Sequence, residues 1–409
     1  MAAVTIPNEA KRQGHFYVPH FEVKIEGVGL PQDVLRDVIQ LTYKDDIKQI
    51  DSFELTVNNW DAQTRNFKYV GAETPRTLQE SSDEGRRHRL FEPCNKEVDV
   101  RMGYVGDLRR MVRGTFTTME PNFLSGGAPT LTVRGLNVLH QLRRKQYTTT
   151  WGDKRDSEIA ENIATLRDNN RRRFPLPIVV DDKAKGQERP IPYVAQKNEY
   201  DIDFLLSRAR QRGYVVVVIE GDPQAREARR RERHLYFGPS DANNPALRVV
   251  TFKLEWGISL VDFKPTLTTA NQIRSVTVNG WNRATRRPIS ETVTLDDRRL
   301  NINRDLHQIL NVCDPREEHV VDEPVYTPAQ ARERAVAILM DRHKEMVKAR
   351  GTCIGLPDLR AGQRVEIAGL GARFNGTYFV TSTTHLINDN GYTTKFEARR
   401  ENDGTEARS

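Results

Sequence analysis

One three-strand pattern occurs twice in this chain of 409 residues, first at residues 97–135 and again at residues 364–399. The first copy reads EVDVRMGY, then GTFTTME opening on Gly114, then TLTVRG after the turn SGGA. The second reads RVEIAGL, then GTYFVTST opening on Gly376, then TTKFEAR after the turn NDNG. Apolar and polar residues alternate in these segments, which is the period of a half-buried strand. A duplicated β unit predicts two related antiparallel β-barrels in one chain.

The region between the copies has a different, largely helical period, so the sequence predicts a mainly β fold with an α+β insertion. The length favours two to three domains. The expected organisation is a flexible arm at 1–18, a first β-barrel at 19–140, the α+β insertion at 141–246, a second β-barrel at 247–400 that includes a helix at 328–350, and a frayed tail at 401–409.

Alternating segments define the expected barrel strands and their cores. Phe21, Val23 and Ile25 alternate with charged residues, and the segment DSFELTV repeats the pattern. Residues 72–90 are polar and rich in turn formers, which predicts an exposed loop. Four apolar residues are expected to pack in the barrel cores rather than to bind a ligand: Phe116, Leu131, Tyr378 and Phe396.

Two helices and a buried strand are predicted in the insertion. The first helix places Ile159, Ile163 and Leu166 on one face, with Asp156 and Ser157 where an N-cap is wanted. The second helix has four apolar residues at helical spacing and ends at Gly213; they are Ile202, Leu205, Leu206 and Ala209. The uniformly apolar run 214–219 predicts a fully buried strand. A charged helix is expected after Pro223, and LYFG is expected to return as a strand.

The C-terminal half contains signals for a helix and for a hairpin. Thr327 fits an N-cap, Pro328 fits the first turn, and Gln330 would complete a capping box. Basic residues before Gly351 suggest that this helix runs to residue 350. Asn390 and Gly391 predict a tight type I′ hairpin, because that turn needs positive φ at both central residues.

Composition excludes some classes of protein. The net charge is +7 and the pI about 9.2, which is mildly basic, and no apolar run approaches the length of a spanning helix. We therefore expect no membrane insertion and no secretory signal. The three cysteines, Cys94, Cys313 and Cys353, are far apart, so small buried thiols are expected rather than disulfides or a zinc site.

No motif predicts catalytic, cofactor-binding or metal-binding residues, and no small-molecule substrate is expected. The glycines from Gly369 to Gly376 lack the ending and the helix of a phosphate loop, so we interpret them as a turn between strands. His15 and His20 have no accompanying ligand cluster. The acidic doublets at 181–182 and 296–297 are interpreted as solvated turns, because neighbours on a strand point to opposite faces. The chain is therefore not predicted to be an enzyme.

Two alternatives stay open at this point. The arginine runs at 171–173 and 229–231 with Arg233 could contact nucleic acid, although aromatic residues for base stacking are scarce beside them. A solvated face or a polar protein interface is the other interpretation of these runs. A cell-wall hydrolase would need paired acids in a cleft, and no convincing pair stands out.

Several segments in fixed order resemble the phage late-control D family, which comprises tail and baseplate hub proteins and the hub-like part of the VgrG spikes of type VI secretion. They include FEVKIEG, RGTFTTMEPNFLSGGAPTLTVRGLNVLHQL, DSEIAENIA, QKNEYDIDFLLSRARQRGYVVVV and LYFG. The final one is GLPDLRAGQRVEIAGLGARFNGTYFVTSTTHLINDNGYTTKFEARR. The resemblance covers roughly residues 20 to 400.

The resemblance implies a structural hub. Three chains with two barrels each would form a homotrimer with a pseudo-six-fold inner ring, which adapts a six-fold inner tube protein ring to a three-fold spike. Only RENDGTEARS follows Arg399, so the trimeric spike is expected to be a separate protein. Other baseplate proteins are further expected partners. The particle would be assembled in the bacterial cytoplasm and belong to a phage tail or a phage-like contractile injection system.

Overall fold

The computed structural model describes residues 4–5, 18–79, 81–94, 96–221, 232–240, 250–297, 300, 309–310, 312, 316–322, 325–371 and 373–400. The expected flexible arm, apart from residues 4–5 and 18, lies outside this range. So do the expected frayed tail, Cys313, the arginine run 229–231 and the charged helix expected after Pro223. Among the described residues, every helix is too short or too polar to cross a bilayer.

The described chain is dominated by β-strands. They are β1 Val4–Thr5, β2 Pro19–Ile25, β3 Val28–Gly29, β4 Val38–Asp46, β5 Ser52–Asn58, β6 Trp60–Asp61, β7 Asn66–Phe67, β8 Glu97–Tyr104, β9 Asp107–Asn122, β10 Thr130–Asn137, β11 Gln146–Lys154, β12 Arg167–Asp168, β13 Arg171–Arg172, β14 Ile178–Val180, β15 Ile191–Tyr200, β16 Tyr214–Ile219, β17 His234–Pro239, β18 Thr251–Glu255, β19 Leu260–Leu267, β20 Ser275–Asn282, β21 Arg287–Thr294, β22 Glu317–Val320, β23 Val347–Ile354, β24 Arg364–Ala368, β25 Gly376–Asn388 and β26 Gly391–Arg400.

Helices are fewer and mostly short. They are α1 Gln32–Asp37, α2 Asp83–His88, α3 Asp156–Thr165, α4 Asp182–Gln187, α5 Asp201–Arg212 and α6 Pro328–Lys344, with a 3₁₀ helix at Val138–Arg143. The fold is thus mainly β with an α+β insertion, as the sequence predicts.

Both copies of the sequence pattern fold as antiparallel meanders. In the first, β9 pairs with β8 and β10; in the second, β25 pairs with β24 and β26. The ladders match residue for residue: Glu97 lies opposite Thr115 in the first, and Arg364 lies opposite Phe379 in the second. Gly114 is therefore equivalent to Tyr378 rather than to Gly376, and β9 begins well before Gly114.

The repeat extends to two more strands in each copy. β5 and β4 follow β10 in the sheet, just as β23 and β19 follow β26. Two β-bulges recur at matched places: Thr117 in β9 corresponds to Thr381 in β25, and Ile39 in β4 corresponds to Val261 in β19. Bulges are specific features of a fold, so their coincidence shows a repeated five-strand unit.

The two units lie edge to edge in a single sheet of 14 strands, because β4 of the first unit pairs with β25 of the second. The structure does not show the two closed barrels that the sequence predicts. Among the described residues, β4 bonds to β25 rather than back to β2, and β18 and β19 meet only at an isolated bridge between Trp256 and Leu260. Each unit has its own apolar core. The four predicted core residues, Phe116, Leu131, Tyr378 and Phe396, are all buried.

The helix expected at 328–350 ends earlier, at Lys344, and the following residues form β23. Lys348, Arg350 and Gly351 are therefore strand residues, because buried and exposed positions alternate from Val347 onward. The start of α6 is as predicted, because Thr327 caps the helix. The predicted capping box is not formed, since the Gln330 side chain accepts a hydrogen bond from the Tyr326 N–H instead. The segment between β19 and β23 also holds the sheet β21–β20–β22.

The insertion has its own core, built from α3, α5 and the sheet β14–β17–β16. The buried strand predicted at Tyr214–Ile219 is confirmed, as are α5 and its left-handed end at Gly213, φ +70°. The predicted cap of α3 is wrong. Arg155 is the N-cap, while Asp156 is buried inside the first turn and is paired with Arg208 and Arg212.

Three smaller expectations also change. The polar loop at 72–90 contains α2, which Ser82 caps and on which His88 is buried. The hairpin before β26 is present, but Asp389 and Asn390 form its turn, and only Gly391 has positive φ, 109°. Type I′ geometry is therefore absent there. Of the described cysteines, Cys353 is buried as expected, whereas Cys94 is exposed.

Candidate functional site

The junction between the two units is a seven-residue antiparallel ladder. It runs from Asp46 opposite Ser382 to Gln40 opposite Asn388. Leu41, Tyr43 and Asp45 face inward from β4, and Thr383, His385 and Ile387 face inward from β25. We name these six residues, together with Arg360, the junction. It is the element that fixes the relative position of the units.

A buried carboxylate is at the centre of the junction. Asp45 accepts hydrogen bonds from the backbone N–H groups of Ala361 and Thr383, both at 3.2 Å, and from the Thr383 hydroxyl. Burial raises the pKa of Asp45, and Arg360 and these donors oppose the rise. A strand residue from the first unit is thus bonded to backbone groups of the second.

Arg360 connects the units in the opposite direction. Its guanidinium donates to the carbonyl oxygens of Arg110 and Met111, both at 3.0 Å, and is 3.6 Å from the Asp45 carboxylate. The same group stacks over the Tyr43 ring at 4.5 Å. Its side chain is only 18% exposed. Removing this group would take a donor from two carbonyl oxygens and the nearby positive charge from the Asp45 carboxylate.

His385 contributes as a neutral ring. Burial and the nearby Arg360 charge lower its pKa well below the usual value. Nε2 lies 3.0 Å from the Leu359 carbonyl, which requires a proton on that nitrogen, so Nδ1 accepts from the Tyr392 hydroxyl at 2.9 Å. The ring therefore orients the segment that carries Arg360.

The insertion packs on both units beside the junction. Val215, Val217 and Ile219 of β16, with Tyr236 of β17, form a cluster with apolar residues of both units, namely Ile47, Ala361 and Phe379. Arg233 strengthens this contact, since it pairs with Glu220 at 2.9 Å and donates to the Arg113 carbonyl at 2.8 Å. All three parts of the chain therefore meet at one buried seam.

The opposite face of the sheet is polar and runs without a break across eight strands, from β9 to β19. One cross-strand row contains Thr118, Arg134, Glu54, Thr42, Leu386, Thr393 and Ile354. The next contains Leu136, Ser52, Lys44, Thr384, Lys395, Thr352 and Asp262. We name this surface the polar face. Both units contribute to it.

Two arginines on the polar face are paired with glutamates. Arg134 donates to Glu54 at 2.8 Å and to Glu120 at 2.7 Å, and Arg350 donates to Glu397 at 2.9 Å. Threonine fills much of the remaining surface. Around these two arginines the charges of both signs offset each other, so the local field is not one-sided.

The residues weighed as binding candidates in the sequence are dispersed. Arg171 and Arg172 are exposed, but Arg173 stacks on Tyr147 at 3.5 Å and pairs with Asp201. Asp181 is not a solvated turn residue, because it is buried and caps α4 through the Ala184 N–H. Gly369 and Gly371 lie in the connection between β24 and β25, as predicted, and Gly376 opens β25. His20 is exposed on β2, and His15 lies outside the described residues.

Sequence reasoning missed the junction. Its one signal is that Asp45 shares the phase of Leu41 and Tyr43 in an alternating segment, so a charge falls on the buried face. Arg360 lies between strands and has no periodic signal. Among the described residues, no three His, Cys, Asp or Glu side chains are grouped so as to hold a metal ion.

A known family covers nearly this whole arrangement. The family model of the Alg8 N-terminal domain matches residues 17–389. The chain belongs to the Alg8 N-terminal domain family. This match includes the first five-strand unit, the insertion and the second unit up to the end of β25. It leaves the resemblance to the late-control D family a prediction. No curated protein matches the sequence.

Solved structures share the fold of this Alg8 N-terminal domain protein. The 43 kDa tail protein of prophage MuSo2 from Shewanella oneidensis has a TM-score of 0.61 and 14% identity, over 93% of this chain and 98% of that one. A tail protein from Neisseria meningitidis has a TM-score of 0.62 and 12% identity, over 94% and 97%. A type VI secretion component from E. coli, described as similar to T4 tail proteins, has a TM-score of 0.53 and 13% identity, over 93% and 77%. At these identities the likeness establishes the fold.

Proposed function

We propose that this protein is the structural hub of a phage tail baseplate or a related contractile injection system. In this proposal three copies form a ring on the particle axis, join a six-fold inner tube to a trimeric spike and contact other baseplate proteins. The particle is assembled in the bacterial cytoplasm. The shared fold with two tail proteins and a type VI component supports this class of protein.

The observation that carries the proposal is the repeat of the five-strand unit within one continuous sheet. Two equivalent units with matched bulges give one chain two similar binding surfaces. Three such chains present six units, which suits a partner of six-fold symmetry on one side and three-fold symmetry on the other. Closed rings of this kind use one heterologous contact repeated by rotation.

The buried junction suits such a mechanical role. A hub must hold its two units at a fixed angle, and the Asp45 and Arg360 contacts bond each unit to backbone groups of the other. Buried polar networks that are fully satisfied specify one arrangement. The insertion adds a third rigid contact through its apolar cluster with both units.

Both alternatives have weaker support. Of the arginines considered for nucleic-acid contact, Arg173 is held by Tyr147 and Asp201, and Arg233 is held by Glu220, which leaves Arg171 and Arg172 as exposed cations of these runs in the described residues. A hydrolase would need two carboxyl groups that reach a polysaccharide. Asp45 and Asp51 carry raised pKa values, but both are buried beneath the sheet at 5% and 8% exposure.

Electron microscopy of particles carrying a tagged copy of this protein tests the proposal. We expect three copies on the central axis, between the inner tube and the spike. Density away from the axis, or six copies per particle, would exclude a trimeric hub. A peptidoglycan zymogram serves as a second test, because lysis by the purified protein would exclude a purely structural role.

A further inference from the structure

Within the described residues, two edges of the repeated five-strand units carry no ladder partner. The first is the end of β9: β8 covers this strand only up to Thr115, and Cys94 bonds to the Phe116 carbonyl. Beyond the bulge at Thr117, only β10 pairs with it. Thr118, Glu120 and Asn122 are exposed along this edge.

The second free edge is β19. This strand pairs with β23 on one side, and the described residues place no ladder on its other side. Asp262, Lys264 and Thr266 are exposed along it, while Phe263, Pro265 and Leu267 are half-buried. An eight-residue edge of this kind is a template for pairing with another chain.

The internal repeat shows what these two edges match. The β9 edge is equivalent to the part of β25 that receives β4, because Thr118 lies opposite Arg134 as Ser382 lies opposite Glu397. β19 is equivalent to β4, because Lys264 lies opposite Arg350 as Thr42 lies opposite Glu54. The two free edges are thus the two halves of a second junction that one chain cannot close on itself.

We propose that a second copy of this chain provides the missing half. The β19 edge of one copy lies antiparallel to the β9 edge of the next, with Met119 opposite Leu267, Pro121 opposite Pro265 and Phe123 opposite Phe263. This register transfers the β4–β25 ladder through the two equivalences. The inference rests on the proposed function, because it names the contact that makes the ring.

The chemistry of the two edges fits this contact. Inward-facing positions are apolar on both sides, with Met119, Pro121 and Phe123 on one edge and Phe263, Pro265 and Leu267 on the other. Phe123 is 54% exposed. Burying such side chains against each other would stabilise association through the hydrophobic effect.

The two prolines fall opposite each other in this register. Each pairs with an inner strand on one side, Pro121 with β10 and Pro265 with β23, so the missing N–H faces the free edge. The equivalent pair inside the chain is Tyr43 opposite His385. The contact between copies is therefore poor in backbone hydrogen bonds at its centre and depends on side-chain packing.

The edges differ from each other, so the contact is heterologous. A heterologous contact closes into a ring when its rotation permits, and otherwise it continues as a filament. The two matched prolines weaken pairing of either edge with an unrelated strand, which is how natural edge strands avoid aggregation. The rotation between the two units of one chain would set the rotation between copies.

Cysteine cross-linking tests the register. Asn122→Cys with Lys264→Cys places two thiols opposite each other between copies, on the outward side. The internal control is Thr42→Cys with Leu386→Cys, which occupies the equivalent positions within one chain. A second control, Thr118→Cys with Lys264→Cys, is out of register. Cys94 and Cys313 are replaced by serine, while burial raises the pKa of the Cys353 thiol to about 12 and keeps it unreactive.

We expect the first pair to give disulfide-linked oligomers on non-reducing gels at high protein concentration, with the covalent trimer as the largest closed product. The internal control gives cross-linked monomer, and the out-of-register pair gives little product. Formation of the internal disulfide without any intermolecular product from the first pair would overturn the inference. If particles nevertheless showed three copies on the axis, the proposed function would stand and only this contact would be wrong.

Discussion

The junction inside the chain and the two free edges occupy equivalent places in the repeated unit, yet their side chains differ in kind. Inside the chain the inward positions include Tyr43, Asp45, Thr383 and His385, and all four are buried and hydrogen-bonded or stacked. The equivalent residues on the free edges are, in the same order, Pro265, Leu267, Met119 and Pro121. One duplicated strand pair has therefore acquired two chemistries.

The difference teaches how the two places are used. A junction that forms once during folding can bury charged groups, because the same chain supplies every partner. At an edge that is exposed until another copy binds, charged groups of this kind would lack their partners in the free chain. Apolar side chains and prolines suit an edge that is exposed before association. The apolar side chains need no hydrogen-bond partner, and the prolines discourage pairing with unrelated strands.

The largest effect is expected from Arg360→Ala. The substitution removes the positive charge beside the buried Asp45 carboxylate and the hydrogen-bond donor of the Arg110 and Met111 carbonyl groups. The free energy of unfolding should therefore fall by about 3–5 kcal/mol. Arg350→Ala is the matched control, because its exposed pair with Glu397 is worth roughly 0–1 kcal/mol. Urea unfolding of both variants measures the difference. Equal losses would show that the junction is not a buried network.

The second prediction concerns the pH dependence of the junction. Burial, with a contribution from the Asp45 charge, raises the pKa of Asp51 to about 8, whereas an unfolded aspartate titrates near 3.9. The folded state therefore binds this proton more tightly, so its contribution to stability is complete below about pH 4 and is lost as the pH rises through about 8. Asp51→Asn should flatten the fall in stability over that range.

Urea unfolding at a series of pH values checks this prediction. Asp61→Asn is a suitable control, because hydrogen bonds from Thr64 and Gln63 lower the pKa of that exposed carboxyl, which gives the opposite sign. An unchanged slope in the Asp51 variant would show that this carboxyl is already ionised in the folded protein.

Sequence patterns revealed the repeat, although they misaligned Gly114 with Gly376, and they did not reveal the junction. Alternation marks β5 and β8, the apolar run marks β16, and Gly213 marks the end of α5, because each signal is local. The end of α6 was misplaced because basic residues suit both a final helical turn and the outer face of a strand. Arg360 acts through carbonyl groups of Arg110 and Met111, about 250 residues away along the chain, and no local pattern encodes such a contact.

The third prediction compares the cores of the two units. Leu55 lies opposite Val133 in the first unit, and the equivalent pair in the second is Gly351 opposite Phe396. A Cβ at Gly351 would lie 2.3 Å from the Phe396 ring, so Gly351→Leu should cost about 1–3 kcal/mol through overpacking. The double variant with Phe396→Val recreates the pair of the first unit and should recover most of that loss.

A double-mutant cycle from urea unfolding measures the recovery. Gly126→Leu is the control for placing a large side chain at a glycine, since a Cβ there meets no atom within 4 Å. Additive losses in the Gly351 and Phe396 variants would mean that the two units are equivalent in backbone ladder alone and not in the way their cores are filled.

The smallest effect bears most directly on the contrast between the junction and the free edges. Replacing Pro121 and Pro265 together by threonine restores two edge-facing N–H donors in the proposed contact between copies. Each new hydrogen bond is worth roughly 0.5–1.5 kcal/mol, so self-association measured by sedimentation should tighten between about fivefold and about a hundredfold. Pro288→Thr, at an exposed position of β21, makes the same substitution outside the contact and should leave the association unaltered. Weaker association of the double variant would mean that the prolines pack against each other rather than merely removing donors. An equal gain in association from Pro288→Thr would mean that the β9 and β19 edges do not face one another, because any strand edge with a restored N–H would then serve equally well.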